Sequence, residues 1–96
     1  MDKESIKKEV LFESNNILKK YSEPYVIDSI SVMNMASKTV FLGTIKVFNE
    51  ENVENIVNDL NKQLADYGSL SIRDEKVVSC CSANYVHISF NISVIN

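Results

Sequence analysis

Residues 85–95 read YVHISFNISVI, and their alternation decides the fold. Val86, Ile88, Phe90, Ile92 and Val94 point one way, and Tyr85, His87, Ser89, Asn91 and Ser93 the other. A strand with one apolar and one polar face buries the first and leaves the second wet. The same pattern occurs earlier in TVFLGTIKVF, residues 39–48, where Phe41, Gly43, Ile45 and Val47 share a face. Sliding the chain on itself by 47 residues superposes the two strands: IKVFN (45–49) meets ISVIN (92–96), and Gly43 meets Phe90.

The same offset carries Glu4 onto Glu51, Ile6 onto Val53, Val10 onto Val57 and Ile17 onto Leu64. Each half therefore opens with an amphipathic helix. In the first, Asp2 caps, Glu4 lies in the first turn, and Ile6, Val10, Ile17, Leu18 and Tyr21 follow at near-helical spacing. Lys19 and Lys20 close it, and Pro24 stops it. In the second, Asn49 is the expected cap, Glu50 and Glu51 follow, and Val53, Ile56, Val57, Leu60, Leu64 and Tyr67 form the stripe up to Gly68. Tyr25–Met33 (YVIDSISVM) reads as a strand joined to 39–48 as a hairpin. Residues 69–73 read as extended, and Lys76–Cys81 as a further strand.

The predicted order is α-β-β-α-β-β in one α+β domain spanning residues 1–96, with half-repeats at 2–49 and 50–96. Two helices pack on one face of a four-stranded, mainly antiparallel sheet. Gene duplication and convergence of two amphipathic units both account for the repeat.

Composition excludes several functions. The 45% apolar content is that of a globular protein. Residues 1–50 balance seven lysines against seven acids, while 51–96 carry only Lys62, Arg73 and Lys76 against six acids. A net charge of −3 spread this way forms no dense basic patch, which argues against direct nucleic-acid binding. No apolar run approaches the ~20 residues of a membrane span, and the amino terminus MDKESIKKEV has no signal-like apolar core. Cys80 and Cys81 are adjacent and cannot easily bridge each other, so they read as reduced thiols in the cytoplasm.

The chain holds no recognisable catalytic or cofactor motif. Its two glycines, Gly43 and Gly68, are too far apart for a phosphate loop or a dinucleotide fingerprint. One histidine and two adjacent cysteines do not make a zinc set. A Cys–His pair depends on hairpin register. A turn at 82–84 sets Cys81 opposite Tyr85 and Ser79 opposite His87, and a turn at 83–84 sets Cys80 opposite His87. The first is preferred because it aligns Val78 and Cys80 with the apolar face. His87 then reads as an exposed strand residue, and Asp28 as an edge or bulge residue rather than a site carboxylate. We expect no cofactor, no metal and no enzymatic activity.

The candidate site is instead the sheet face that the helices leave bare. It is expected to carry Tyr25, Ile27, Val40, Leu42, Phe48, Tyr85, His87 and Ile95. Apolar residues gathered on such a face mark protein interfaces. Self-association or one protein partner follows, without membrane contact.

The element order resembles the tail-terminator (tail-completion) proteins of tailed phages. The matching regions are ESIKKEVLFESNNILKKYS, TVFLGTIKVF, NEENVENIVNDLNKQLADYG and YVHISFNISVI. The resemblance is one of pattern and transfers no functional residue. It implies a homo-oligomeric ring capping a tail tube, in a phage or phage-like particle assembled in the cytoplasm. A small inhibitor or immunity-type protein that blocks one target fits the same scaffold.

Overall fold

The computed structural model describes residues 2–78, 80 and 84–96. Helix α1 spans Lys3–Lys20, strand β1 Ser31–Asn34, and strand β2 Lys38–Val47. A 3-10 turn at Glu50–Asn52 leads into α2, Val53–Leu64, which ends in a second 3-10 turn at Ala65–Tyr67. Strand β3 spans Ser69–Val77 and β4 Tyr85–Ile95. The sheet is antiparallel throughout, in the order β1-β2-β4-β3. Both helices contribute to one core with the Phe41, Ile45, Val47 face of β2 and the Val86, Ile88, Phe90, Ile92 face of β4. This is the expected α+β architecture, with two helices on one side of the sheet.

The centre of the sheet has approximate twofold symmetry. Gly43 and Phe90, 47 residues apart in sequence, face each other across β2 and β4. Their neighbours follow suit. Phe41 pairs with Ile92, and the residues 47 positions away from each, Ile88 and Ile45, also pair. The offset carries Lys3–Lys20 onto 50–67, the full span of the 3-10 turn, α2 and the closing turn. Two equivalent side chains pointing into the core at the symmetry point would collide. A Cβ on Gly43 would lie 2.3 Å from the Phe90 ring, so glycine on one strand makes room for phenylalanine on the other.

The outer strands break this symmetry. β1 pairs with only the first part of β2, Ser31 opposite Leu42 through Asn34 opposite Thr39. The expected strand over Tyr25–Met33 is therefore shortened to begin at Ser31. The cause is Asn15 of α1. Its side-chain amide accepts from the Ile27 N–H at 2.7 Å and donates to the Ile27 carbonyl at 3.0 Å. That amide takes the place of a neighbouring strand, so the chain before β1 is held by the helix rather than by β2. On the other side, β3 is one continuous strand through Asp74 and Glu75 that ends at Val77. The expected strand over Lys76–Cys81 is corrected accordingly. Tyr85 faces Val77 and His87 faces Glu75, in place of the partners expected from either tight turn.

The end of α1 is built to send the chain back toward α2. Glu23 N–H bonds the Leu18 carbonyl and Ser22 N–H that of Lys19, the paired bonds of a Schellman cap. Ser22 occupies the left-handed position, φ 58°, that glycine usually fills. The cap delivers Glu23 into the interior, 6% exposed. Its carboxylate accepts from the Phe48 N–H at 2.8 Å and from the side-chain amides of Asn49 and Asn52 at 3.0 Å each. Asn49 thus stands at the expected cap position, but its side chain caps no helix N–H and is spent on Glu23. Asp2, by contrast, caps α1 as expected, accepting from Ser5 N–H at 2.9 Å.

The helices are also clamped at the surface. Asp59 of α2 accepts from the Tyr21 hydroxyl at 2.7 Å and from Lys20 Nζ at 3.1 Å. The Tyr21 bond, helped by Lys20, holds the Asp59 carboxyl below its ordinary range. The same bond raises the Tyr21 hydroxyl above its ordinary value of 10.0.

Three expectations follow. Gly43→Ala should destabilise the fold by about 1–3 kcal/mol through overpacking against the Phe90 ring, and pairing it with Phe90→Leu should recover part of the loss. Urea denaturation of the two variants checks both values. Ser22→Gly should stabilise by about 0.5–1 kcal/mol, because glycine takes the left-handed conformation without the Cβ penalty. A rise in urea midpoint at unchanged slope is the readout. Asp59→Asn should lower the melting temperature at neutral pH. The depressed Asp59 pKa gives stability that is lost as pH falls through it. The raised Tyr21 pKa gives stability that is present below 10.0 and lost as pH rises through the raised value. The difference between wild type and Asp59→Asn should therefore shrink at both ends of a pH series of melts.

Candidate interaction face

Side chains alternate across each strand, so register fixes what lies on the side away from the helices. Five rows cross it. Lys38 pairs with Ile95 at one end. Next come Met33, Val40, Ser93 and Ser69, then Ser31, Leu42, Asn91 and Ser71. Thr44, Ser89 and Arg73 form the fourth row, and Lys46, His87 and Glu75 the fifth. Beyond these, Phe48 follows the end of β2 beside Tyr85, which pairs with Val77.

The expected apolar residues are therefore split between two ends of the face. At one end the rings of Tyr25, Phe48 and Tyr85 form a chain, with centroids 5.3 Å and 5.6 Å apart. Lys46 Nζ lies 5.2 Å from the Tyr85 ring centre. At the other end stand Val40 and Leu42, buried and half-buried, with exposed Met33, Met35 and Ile95. Ile95 is 86% exposed. The Asn96 side chain ties this corner together by donating to the Met35 carbonyl at 3.1 Å. Met33, the last residue of the expected strand, and Met35, which lies in the expected turn and has no face there, were not among the residues expected on this face.

The middle of the face is uncharged and polar, made of Ser31, Thr44, Ser71, Ser89 and Asn91, with Arg73 at its β3 border. His87 lies half-buried between Lys46 and Glu75. It also lines a cleft of about 340 Å³, where the chain before β1 diverges from β2, together with Tyr25, Asp28, Ser29, Thr44 and Lys46.

Ile27 does not belong to this face. It is buried in the core on the helix side, because the Asn15 amide draws its backbone toward α1. Cys80 is not a core residue either. It is exposed beyond the end of β3, since the strand stops before reaching it. Ser79, Cys81 and residues 82 and 83 of the expected turn lie outside the described residues. Asp28 is exposed in the unpaired segment and is neither an edge-strand nor a bulge residue.

Sequence pattern also missed a groove on the helix side. The inward positions of β3 change from Leu70 and Ile72 to Asp74 and Lys76, opposite Ile88 and Val86. Between them and α2 lies a cavity of about 420 Å³, lined by Val53, Val57, Glu50, Glu54, Asp74 and Lys76, among others. Lys76 Nζ is 3.3 Å from Glu50 there. Among the described residues no group of three or more His, Cys, Asp and Glu side chains is placed to hold a metal ion. No helix among them is long and apolar enough to cross a membrane. No family model, curated protein or solved structure matches the chain.

Proposed function

We propose that the chain is a non-enzymatic protein-binding and assembly protein that associates with copies of itself through the uncovered sheet face. One observation carries the reading. The face has no helix over it, yet both of its ends present apolar side chains, aromatic at one and methionine and isoleucine at the other. Exposed aromatic and apolar side chains gathered on an uncovered face are the kind of anchors that protein interfaces use. A homo-oligomeric ring of the tail-terminator type is one form such an assembly takes, and it places the protein in a phage or phage-like particle.

The aromatic end also favours a second reading. Tyr25, Phe48 and Tyr85, bordered by Lys46 and His87, would suit a single foreign target. An inhibitor or immunity-type protein would use that end alone.

Light scattering across a concentration series separates the two. A defined multiple of the 10.9 kDa chain mass, lost on Phe48→Asp, is the result expected for assembly. A strict monomer that captures one foreign protein in stoichiometric amount would move the assignment to the second reading.

A further inference from the structure

Resting on the self-association reading, we propose that two copies stack their uncovered sheet faces into a sandwich, related by a twofold axis running across the strands. The aromatic end of each copy then covers the methionine–isoleucine end of the other.

The face is large enough to hold a second copy. β2 and β4 are 10 and 11 residues long. β3 has 9 residues and β1 only 4, so at about 3.3 Å per residue and about 4.8 Å between strands the four strands together cover roughly 540 Å². Stacking two such faces buries on the order of 1,100 Å², just above the ~1,000 Å² that a specific interface should clear. Tyr25 and Met35 at the borders add to it.

The rows of the two faces also match. An axis across the strands keeps each strand over its own counterpart and reverses the row order. Tyr85 comes over Ile95 of the second copy, and Phe48 over its Lys38. Lys46 comes over Val40, Glu75 over Ser69, Arg73 over Ser71 and Ser89 over Asn91. No charged side chain meets one of like sign. Met33 is brought to the Tyr25 border, where a thioether against an aromatic ring is favourable. An axis along the strands does worse. It lays the Lys46, His87, Glu75 row over itself, with Lys46 facing His87 of the second copy.

The sheet edges offer less than the face. β3 carries Arg73, Asp74, Glu75 and Lys76 in succession, the charged pattern that blocks edge pairing. β1 is only four residues long. Neither edge provides the contact that the face does.

Sedimentation equilibrium on the wild-type chain and three variants tests the proposal. Thr44→Arg sets an arginine on the exposed middle of the face, over Leu42 of the second copy. It should weaken dimerisation at least tenfold and leave a folded monomer by circular dichroism. Val32→Lys charges the β1 edge and should leave the dimer constant within twofold. Ser89→Arg repeats the first test on β4, in case Thr44→Arg fails to fold. Dimers that survive Thr44→Arg and Ser89→Arg but dissociate with Val32→Lys would overturn the stacked arrangement while leaving self-association intact. A wild-type chain that stays monomeric at millimolar concentration would overturn both. In dimers spin-labelled at Lys38→Cys, on a background with Cys80 and Cys81 replaced by Ser, the two labels should lie at opposite ends of the sandwich, roughly 30 Å apart. A short distance would reject the axis across the strands.

Discussion

The point where Gly43 faces Phe90 governs the rest of the molecule. It lies at the centre of the sheet, in the long β2–β4 pairing, and the two residues are equivalent positions of the two halves. Both positions point into the core, so only one can carry a large side chain. Giving the volume to Phe90 and none to Gly43 lets the central strands pair in register from Lys38 opposite Ile95 to Val47 opposite Val86. That register presents the Phe41, Ile45 and Val47 positions and the Val86, Ile88 and Ile92 positions to both helices at once. A one-residue slip would turn all of them to the opposite face.

Around this centre the two halves diverge, and polar contacts are the reason. Asn15 binds the backbone of Ile27 in the first half and so shortens β1. The residue 47 positions on, Lys62, has no comparable amide to offer and is exposed on α2. Glu23 is likewise a feature of one half. Its carboxylate gathers three donors from the junction of the halves, Phe48 and Asn49 at the end of the first and Asn52 at the start of the second. A buried carboxylate is costly unless its lone pairs are occupied. Here they are occupied by the chain leaving β2, which fixes where α2 begins. The bond from Asn52 to Glu23 thereby ties the start of the second half to the first.

These contacts also mark how far the fold could be read from sequence. Helices α1 and α2 and strands β2 and β4 were legible because their apolar residues recur at the period of the element. The outer strands were not. β1 was cut short by an asparagine whose partner is a backbone twelve residues away, which no periodicity records. β3 was misplaced because its inward positions turn from Leu70 and Ile72 to Asp74 and Lys76, so its apolar alternation stops before the strand does. Ser14 shows the same limit within α1. It is fully buried one turn after Val10, yet as a serine it breaks the stripe that the reading follows. For the candidate site, the parity of β2 and β4 placed Val40, Leu42, Tyr85, His87 and Ile95 correctly on the uncovered side. The loss of Ile27 and the addition of Met33 and Met35 both trace to the chain around β1, where hydrogen bonding rather than pattern decides direction.

The division of the uncovered face follows from the same central symmetry. Phe48 and Ile95 are equivalent positions, each at the end of a central strand and each beyond the reach of the helices. The fold therefore produces two similar apolar ends on one face, at opposite corners. The sequence fills one with aromatic rings and the other with thioether and aliphatic groups. Between them, small uncharged side chains keep the middle of the face low enough for another sheet to approach. The two ends differ in chemistry, aromatic at Phe48 and aliphatic at Ile95. Their difference is what gives the face a direction, and a direction is what lets one arrangement of two copies be preferred over the other.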